Sequence, residues 1–452
     1  MPVTEHEDYP PVGYAWYVVA VLTLAYVFSF IDRQILSLLV GPIRRDLGIS
    51  DKQISLLMGA SFAIFYTLFG IPLGRLADTR NRRNLIAVGI AFWSLMTAAC
   101  GLTRHFWQLA LTRMGVGVGE ATLSPSAYSL IADYFRPERR STAMSVYSMG
   151  IYIGSGLAFV LGAIVATYAL TQESSIVPLI GPVRSWQLVF FYVGLPGLVV
   201  SLLMFTIREP VRKGMQHARG AASEQSASMA EVWAYISRNR ATFALLNLGV
   251  ALVALNAYAG SSWIPEFFSR RFGWTLAERG VRFGSIVAVA GGLGIVTGGR
   301  LADWLSARGY ADATVRVAWL GAAGSLPFGA LFPLAPSGML AAILLFPALF
   351  FLSMPFGVAP AAIQRMMPNT MRAQATALYL FVINLIGMGF GPTAVATITE
   401  DVFHDERSIH YSLFIVAIAS HTAACVLLWL SFKPYRTSLQ FCNDWHTRRN
   451  AE

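Results

Sequence analysis

Apolar residues in this chain fall into long unbroken runs rather than at alternating or amphipathic spacings. Twelve such runs lie near 14–39, 53–76, 84–103, 106–134, 142–168, 186–207, 242–267, 281–302, 314–334, 338–363, 373–398 and 409–432. A helix needs about 20 apolar residues to cross the hydrocarbon of a bilayer. The breaks between runs carry charges, Pro or Gly, as connections do. The pattern predicts an all-α membrane protein with twelve transmembrane helices. Residues 1–13 are acidic and lack the basic start of a signal peptide, so the first helix is expected to be retained.

Composition fits this. Of 452 residues, 55% are hydrophobic and 13% charged, about half the charged share of a soluble protein. That excludes a disordered chain and a nucleic-acid-binding domain. The three cysteines, Cys100, Cys425 and Cys442, are too scattered for a metal site or a disulfide framework. The net charge of +10 is explained by topology. With the N-terminus inside, 22 of the 34 Lys and Arg lie at inward connections and the C-tail, and 10 at outward ones. Lys and Arg mark the cytoplasmic side, so both termini are expected in the cytoplasm.

The chain also repeats. Gly74-Arg75-Leu76-Ala77-Asp78 ends the second run, and Gly299-Arg300-Leu301-Ala302-Asp303 ends the eighth, half a chain later. Arg136-Pro137 and Met367-Pro368 open similar short loops. The expected organisation is two pseudo-symmetric six-helix bundles, 1–207 and 241–452. They are joined by a linker, 208–240, that ends in a short amphipathic helix on the inner membrane surface. Such pseudo-symmetry is a transporter signature, with the substrate site at the midplane between the halves.

Charges inside a span are expensive and are functional candidates by default. Asp32, Arg33, Arg113 and Glu120 are four, all in the first half. Counting residues from the span ends puts Asp32 and Arg113 at similar depth. Glu120 lies two turns below Arg113 on the same helix face, about 10 Å deeper. This set suits a proton switch, with Asp32 and Glu120 as carriers and Arg113 as their shared electrostatic partner. A purely structural ion-pair network is the alternative. Arg33 points about 100° away from Asp32 and is read as holding an anionic head group or snorkelling outward. The second half has no deep carboxylate; its polar span residues are Asn247, Asn256, Asn384 and His421. Asn256, Tyr258, Ser261, Ser262 and Trp263 offer hydrogen bonds to a substrate, with Asn256, Tyr258 and Ser262 the chosen candidates. If the nearly apolar stretch 346–356 faces the cavity, it suits an acyl chain. No P-loop, HExxH or GxSxG sequence occurs, so neither ATP hydrolysis nor a catalytic or metal centre is expected, nor any cofactor. The glycines at 115, 117 and 119 lie inside a span with no preceding strand and fail the context of a dinucleotide loop.

The loop from Gly74 through Asp78 to Arg80, Arg82 and Arg83 resembles the signature of the major facilitator superfamily. Arg113 with Gly117 resembles that superfamily's fourth-helix motif. Gly150, Gly154, Gly156 and Gly162 resemble its antiporter motif without the proline. Ile31-Asp32-Arg33-Gln34, the glycines and Glu120 of 117–121, Gly70-Ile71-Pro72-Leu73-Gly74 and Trp93-Ser94 resemble the spinster-like branch. The resemblance implies the major facilitator fold and a secondary carrier of lysolipids or sphingoid phosphates, coupled to protons. Gly74, Asp78, Arg82, Arg83 and Asp303 are expected to form a conformational latch. Asp78 would sit at the helix N-terminus near Arg372, where the dipole favours an anion, with Arg82 and Arg83 at headgroup level. The expected partners are a small-molecule or lipid substrate, protons and membrane lipids. The protein is expected as a monomer in a bacterial inner membrane. A proton-driven exporter of drugs or small metabolites, a non-transporting membrane sensor and an intramembrane enzyme are the rival readings.

Overall fold

The computed structural model describes residues 9–171, 175–177, 181–211, 229–368 and 371–449. Eleven helices among the described residues are long and apolar enough to cross a membrane. They are Val12–Leu38, Asp51–Ala77, Arg82–Cys100, Val146–Ala169, Ser185–Thr206, Arg240–Phe272, Leu276–Ala307, Ala313–Leu334, Gly338–Arg365, Gln374–Phe403 and Glu406–Trp445. The fourth expected span is also present, as two helices in line, Phe106–Glu120 and Leu123–Tyr134. With it the crossings number twelve, and they are called spans 1 to 12 in chain order. The protein is a multi-pass membrane protein of two six-helix bundles.

The break in span 4 has a local cause. Pro125 cannot donate a backbone hydrogen bond, and its ring crowds the carbonyl four residues earlier. The Thr122 hydroxyl bonds back to the Gly119 carbonyl at 2.8 Å, drawing the turn after Glu120 tight. Spans 8 and 11 are also irregular. Wide π turns occur at Arg279–Phe283 and Val287–Gly291 in span 8, and at Asn384–Met388 and Ile398–Phe403 in span 11. Such turns inside α-helices cluster at functional positions.

Twelve crossings put both ends of the chain on one side, here called the terminal face. The Tyr14 hydroxyl bonds the Thr206 carbonyl at the end of span 6. At the other end of the chain, Trp445 packs edge-on against Tyr235. The two repeat copies, at Gly74 and Gly299, both lie at the terminal ends of their spans.

Each half is tied internally by its own core, and the halves meet in the part of the molecule away from the terminal face. Spans 5 and 8 cross so closely that a Cβ at Gly284 would lie 2.6 Å from the Gly156 carbonyl. A Cβ at Gly59 in span 2 would lie 2.5 Å from the Met388 carbonyl of span 11. Only glycine permits these approaches.

Three features differ from the sequence expectation. The linker's amphipathic helix, Met229–Arg238, buries Val232, Tyr235 and Ile236 against the second bundle rather than turning that face to lipid. Tyr235 donates to the Met366 carbonyl at 2.8 Å. Span 12 continues as one helix from Ile409 to Arg449, 41 residues, or about 60 Å at 1.5 Å per residue. A small antiparallel hairpin, Ser175–Val177 with Gly181–Val183, sits in the connection between spans 5 and 6. The rest of the linker, 212–228, lies outside the described residues.

Candidate functional site

Span 1 turns Ser29, Asp32 and Arg33 toward the centre of the first bundle, and span 4 meets them with Arg113 and Glu120. Asp32, Arg113 and Glu120 are all fully buried. Gly117 makes the meeting possible: a Cβ there would lie 2.7 Å from the Phe62 carbonyl of span 2. The gap it leaves lets spans 2 and 4 touch beside the charges.

The pairing differs from the expected one. The ion-pair partner of Glu120 is Arg33, whose Nε donates to Oε2 at 2.5 Å. The Ser29 hydroxyl donates to the same oxygen. Arg113 instead donates to main-chain carbonyls, of Asp32 at 3.0 Å and of Leu57 at 3.5 Å. So the two carboxylates do not share Arg113 through hydrogen bonds. The 100° turn that separates Arg33 from Asp32 on their helix is what aims Arg33 at Glu120. Arg33 does not snorkel; its side chain is only 14% exposed. Its guanidinium lies 4.8 Å from the Phe62 ring centre, 5.0 Å from Tyr66 and 5.3 Å from Phe30. Cation–π contact is strongest where water is excluded, as here.

Two carboxylate oxygens, Asp32 Oδ1 and Glu120 Oε1, are buried without a hydrogen-bond partner among the described residues. The desolvation of these two oxygens is not offset by a bond to either, and of the two carboxylates Glu120 is the one paired with a cation.

Tyrosines surround this centre. Tyr26, Tyr66 and Tyr258 all lie within electrostatic range of Arg33. Tyr258 belongs to span 7, so the second bundle contributes here. Tyr26 stacks on Tyr147 of span 5 with ring centres 4.8 Å apart. Tyr128, edge-on to Tyr147, is 37% exposed and bonds Ser148. Tyr128 thus forms the less buried edge of the tyrosine cluster.

The other substrate candidates are not all gathered here. Asn256 points to span 12, where it donates to Ser420 at 3.4 Å. Ser262 is buried further along span 7. The stretch 346–356 of span 10 packs mostly inside its own bundle. Phe350 crowds Gly294 of span 8, and Phe351 crowds Gly321 and Gly324 of span 9. Phe346 lines a peripheral apolar groove of about 540 Å³ with Arg282, Ile286 and Ile343. Most of 346–356 is thus taken up by packing against spans 8 and 9.

At the terminal face, the latch residues fall into two groups. Arg82 is not a free surface charge but is 1% exposed, packed within protein. It donates to Asp133 of span 4 at 2.5 Å, to Glu209 after span 6 at 2.8 Å and to the Ser129 hydroxyl at 2.8 Å. A buried guanidinium needs such a set of acceptors, and the ends of spans 4 and 6 supply them. Arg83 is half-buried. Its backbone N–H donates to Glu209 at 3.0 Å and its side chain to the Ile207 carbonyl. Gly74 lies against Pro125, and Asp303 is exposed. Arg372 is exposed and donates to the Met367 carbonyl. The Asp78 side chain lies outside the described residues. Asp133 and Glu209 were missed in the sequence, although an acid at each terminal span end was the available signal.

The sequence profile of the Major Facilitator Superfamily matches residues 22–392, and the chain belongs to that superfamily of membrane transporters. Within it, the chain is spinster-like. It is 27% identical over 441 residues to protein spinster homolog 1 of Rattus norvegicus, covering 92% of this chain and 80% of the relative. It is 29% identical over 447 residues to an MFS-type efflux pump of Mycolicibacterium smegmatis, covering 96% and 97%. A crystal structure of a bacterial homolog of the human lysosomal transporter spinster, inward-facing and unoccupied, superposes with a TM-score of 0.75. Identity is 28%, with 95% of this chain and 98% of that one covered.

Proposed function

We propose that this chain is a proton-coupled carrier of a lysolipid or similar amphipathic molecule, working by alternating access in a bacterial inner membrane. The single observation that carries the coupling is the buried pair of Arg33 and Glu120 beside the buried Asp32. In this reading the terminal face is cytoplasmic, in keeping with its Lys and Arg excess, and the conformation is inward-facing. Glu120 releases its proton when the centre is hydrated and Arg33 is close. When the halves rock and water leaves, the carboxyl is reprotonated from the other side. Asp32 is the second proton carrier. Arg113 clamps the main chain of span 1 and fixes the depth of both.

The substrate site is the tyrosine-lined space around Arg33 and Tyr258. An anionic head group competes with Glu120 for Arg33, which links substrate arrival to proton uptake. This follows from Arg33 having one carboxylate partner and a largely aromatic surround. Asn256 and Ser262 adjoin this site along span 7, with Asn256 turned to span 12 and Ser262 buried. The protein acts as a monomer, with residues 1–207 and 241–452 as the moving bodies. Gly74, Asp78, Arg82, Arg83 and Asp303 latch the terminal side when it closes.

The test is flux in proteoliposomes. Lysophospholipid should move several-fold faster with an imposed pH gradient than without, and a protonophore should abolish the difference. Equal flux in both conditions would reject the coupling. The high coverage of the mycobacterial efflux pump favours one second reading, proton-driven export of other apolar compounds. A thermal-shift panel of lysolipids against apolar drugs separates the two.

A further inference from the structure

Among the described residues, the ion pairs that join the two bundles lie at the face opposite the termini. They are also centred on spans 2 and 11, the two spans whose terminal ends the sequence motif pairs. Asp51 opens span 2. Its carboxylate is 1% exposed and receives two bonds from Arg270 of span 7, at 2.6 and 2.9 Å. Arg44 reaches the same carboxylate at 3.1 Å and Glu406 of the second bundle at 2.6 Å. The bond to Glu406 holds the Arg44 guanidinium above its ordinary value.

The second contact is of a different kind. Ser50 caps span 2 in the ordinary local way, with Gln53 closing the box. The N–H groups of Asp51 and Lys52 remain, and both donate to the carboxylate of Glu400, from the far end of span 11. A carboxylate at a helix N-terminus is favoured by the dipole and by the unsatisfied N–H groups. Here it comes from the other bundle. Lys52 then pairs with the adjacent Asp401, at 2.5 Å to Oδ2. The wide turn at Ile398–Phe403 sets Glu400 and Asp401 side by side against span 2.

We infer that Asp51, Lys52, Arg270, Glu400 and Asp401 form the gate at the far face, and that Glu400 is its keystone. When the halves rock to open that face, Glu400 must leave the span 2 N-terminus and Arg270 must leave Asp51. The chemistry suits a seal that has to break. A buried ion pair roughly balances its own desolvation, whereas an apolar seam of the same size would favour closure outright. Lys52 and Asp401 are already partly exposed, and opening hydrates the buried Asp51 and Arg270, so both states are accessible. The gate mirrors the sequence-predicted latch: at one end of spans 2 and 11 the helix N-terminus belongs to span 11, and at the other it belongs to span 2.

The inference rests on alternating access but on neither the proton nor the lipid reading. Its test is a distance measurement between the halves in lipid nanodiscs, by pulsed electron spin resonance. Spin labels replace exposed Arg104 and Pro336, in a background of Cys100→Ala, Cys425→Ala and Cys442→Ala. The unaltered gate should give mainly the short distance. Lys52→Glu, which faces Glu400 and Asp401 with a like charge, should raise the ratio of long to short distances at least about tenfold. Glu400→Gln, close in size, should raise it by a smaller factor. Lys52→Glu combined with Asp401→Lys should restore the short distance. Unchanged distributions in both single variants, or no recovery in the double, would overturn the gate. Lack of lipid flux in a protein whose gate responds as stated would count against the substrate reading alone.

Discussion

Glu120 and Arg33 show what one misdirected side chain does to a functional reading. Sequence spacing picked out four charges inside spans 1 and 4, and the structure brings them together in the first bundle. The spacing paired Glu120 with Arg113 because they share a helix face. The true partner comes from span 1, and pairing across helices depends on rotation and on the gap left at Gly117, neither of which a spacing argument contains. The pairing leads to an expectation. Glu120→Gln keeps the shape and an acceptor for Ser29, so the protein should insert and fold with a modest loss of stability. Proton-driven flux should disappear while any exchange of substrate without a gradient persists; counterflow assays distinguish the two. Arg33→Ala, by contrast, leaves a buried carboxylate unpaired. Breaking a buried pair this way costs about 3–5 kcal/mol. The melting temperature should therefore fall markedly in a thermal scan in detergent.

Helices and their ends carry the next level. The spans themselves were legible, since runs of apolar residues of the right length leave little choice in lipid. Their irregularities were only partly so. Pro125 marks the break in span 4, but the wide turns of spans 8 and 11 have no sequence signature beyond clustered glycine. The linker helix was recognised by its amphipathic pattern and assigned to the wrong neighbour. An apolar face shows that a helix is covered, and does not say whether lipid or protein covers it. At the terminal ends, Arg82 ties spans 3, 4 and 6 together. Arg82→Ala should strand Asp133 and Glu209 and lower stability by about 3–5 kcal/mol, seen as reduced yield and melting temperature. Asp133→Asn should do less, since Glu209 and Ser129 still hold the guanidinium. At the crossing of spans 5 and 8, Gly284→Val would push two backbones apart. It should disfavour the state seen here, and labels on the far face should report a longer separation.

For the molecule as a whole, the two bundles divide their tasks. The central charges Asp32, Arg33, Arg113 and Glu120 lie in the first bundle, while the second contributes Tyr258 and, at the far-face seam, Arg270, Glu400, Asp401 and Glu406. The repeat at Gly74 and Gly299 made the two-bundle plan readable. The seam was not readable, because Asp51, Arg270 and Glu400 stand far apart in sequence and each alone looks like an ordinary loop charge. The division predicts how the halves respond to damage. Asn256→Ala and Tyr258→Phe should alter substrate preference or affinity while leaving the pH dependence of flux in place. A shift of the pH profile with either variant would place the coupling centre across both bundles.

The long last helix has a practical consequence. Roughly half of its 41 residues are needed to cross the bilayer, which leaves about 30 Å of helix held against the second bundle by Tyr435 and Ser438. Tyr235 and Phe441 pack together near its end, with Trp445 against both. A compact reporter domain fused in helical register to this helix would therefore turn with the bundle instead of tumbling. A protein of 49.3 kDa that lies almost wholly within its membrane would thereby gain a rigid landmark for electron-microscopic image alignment.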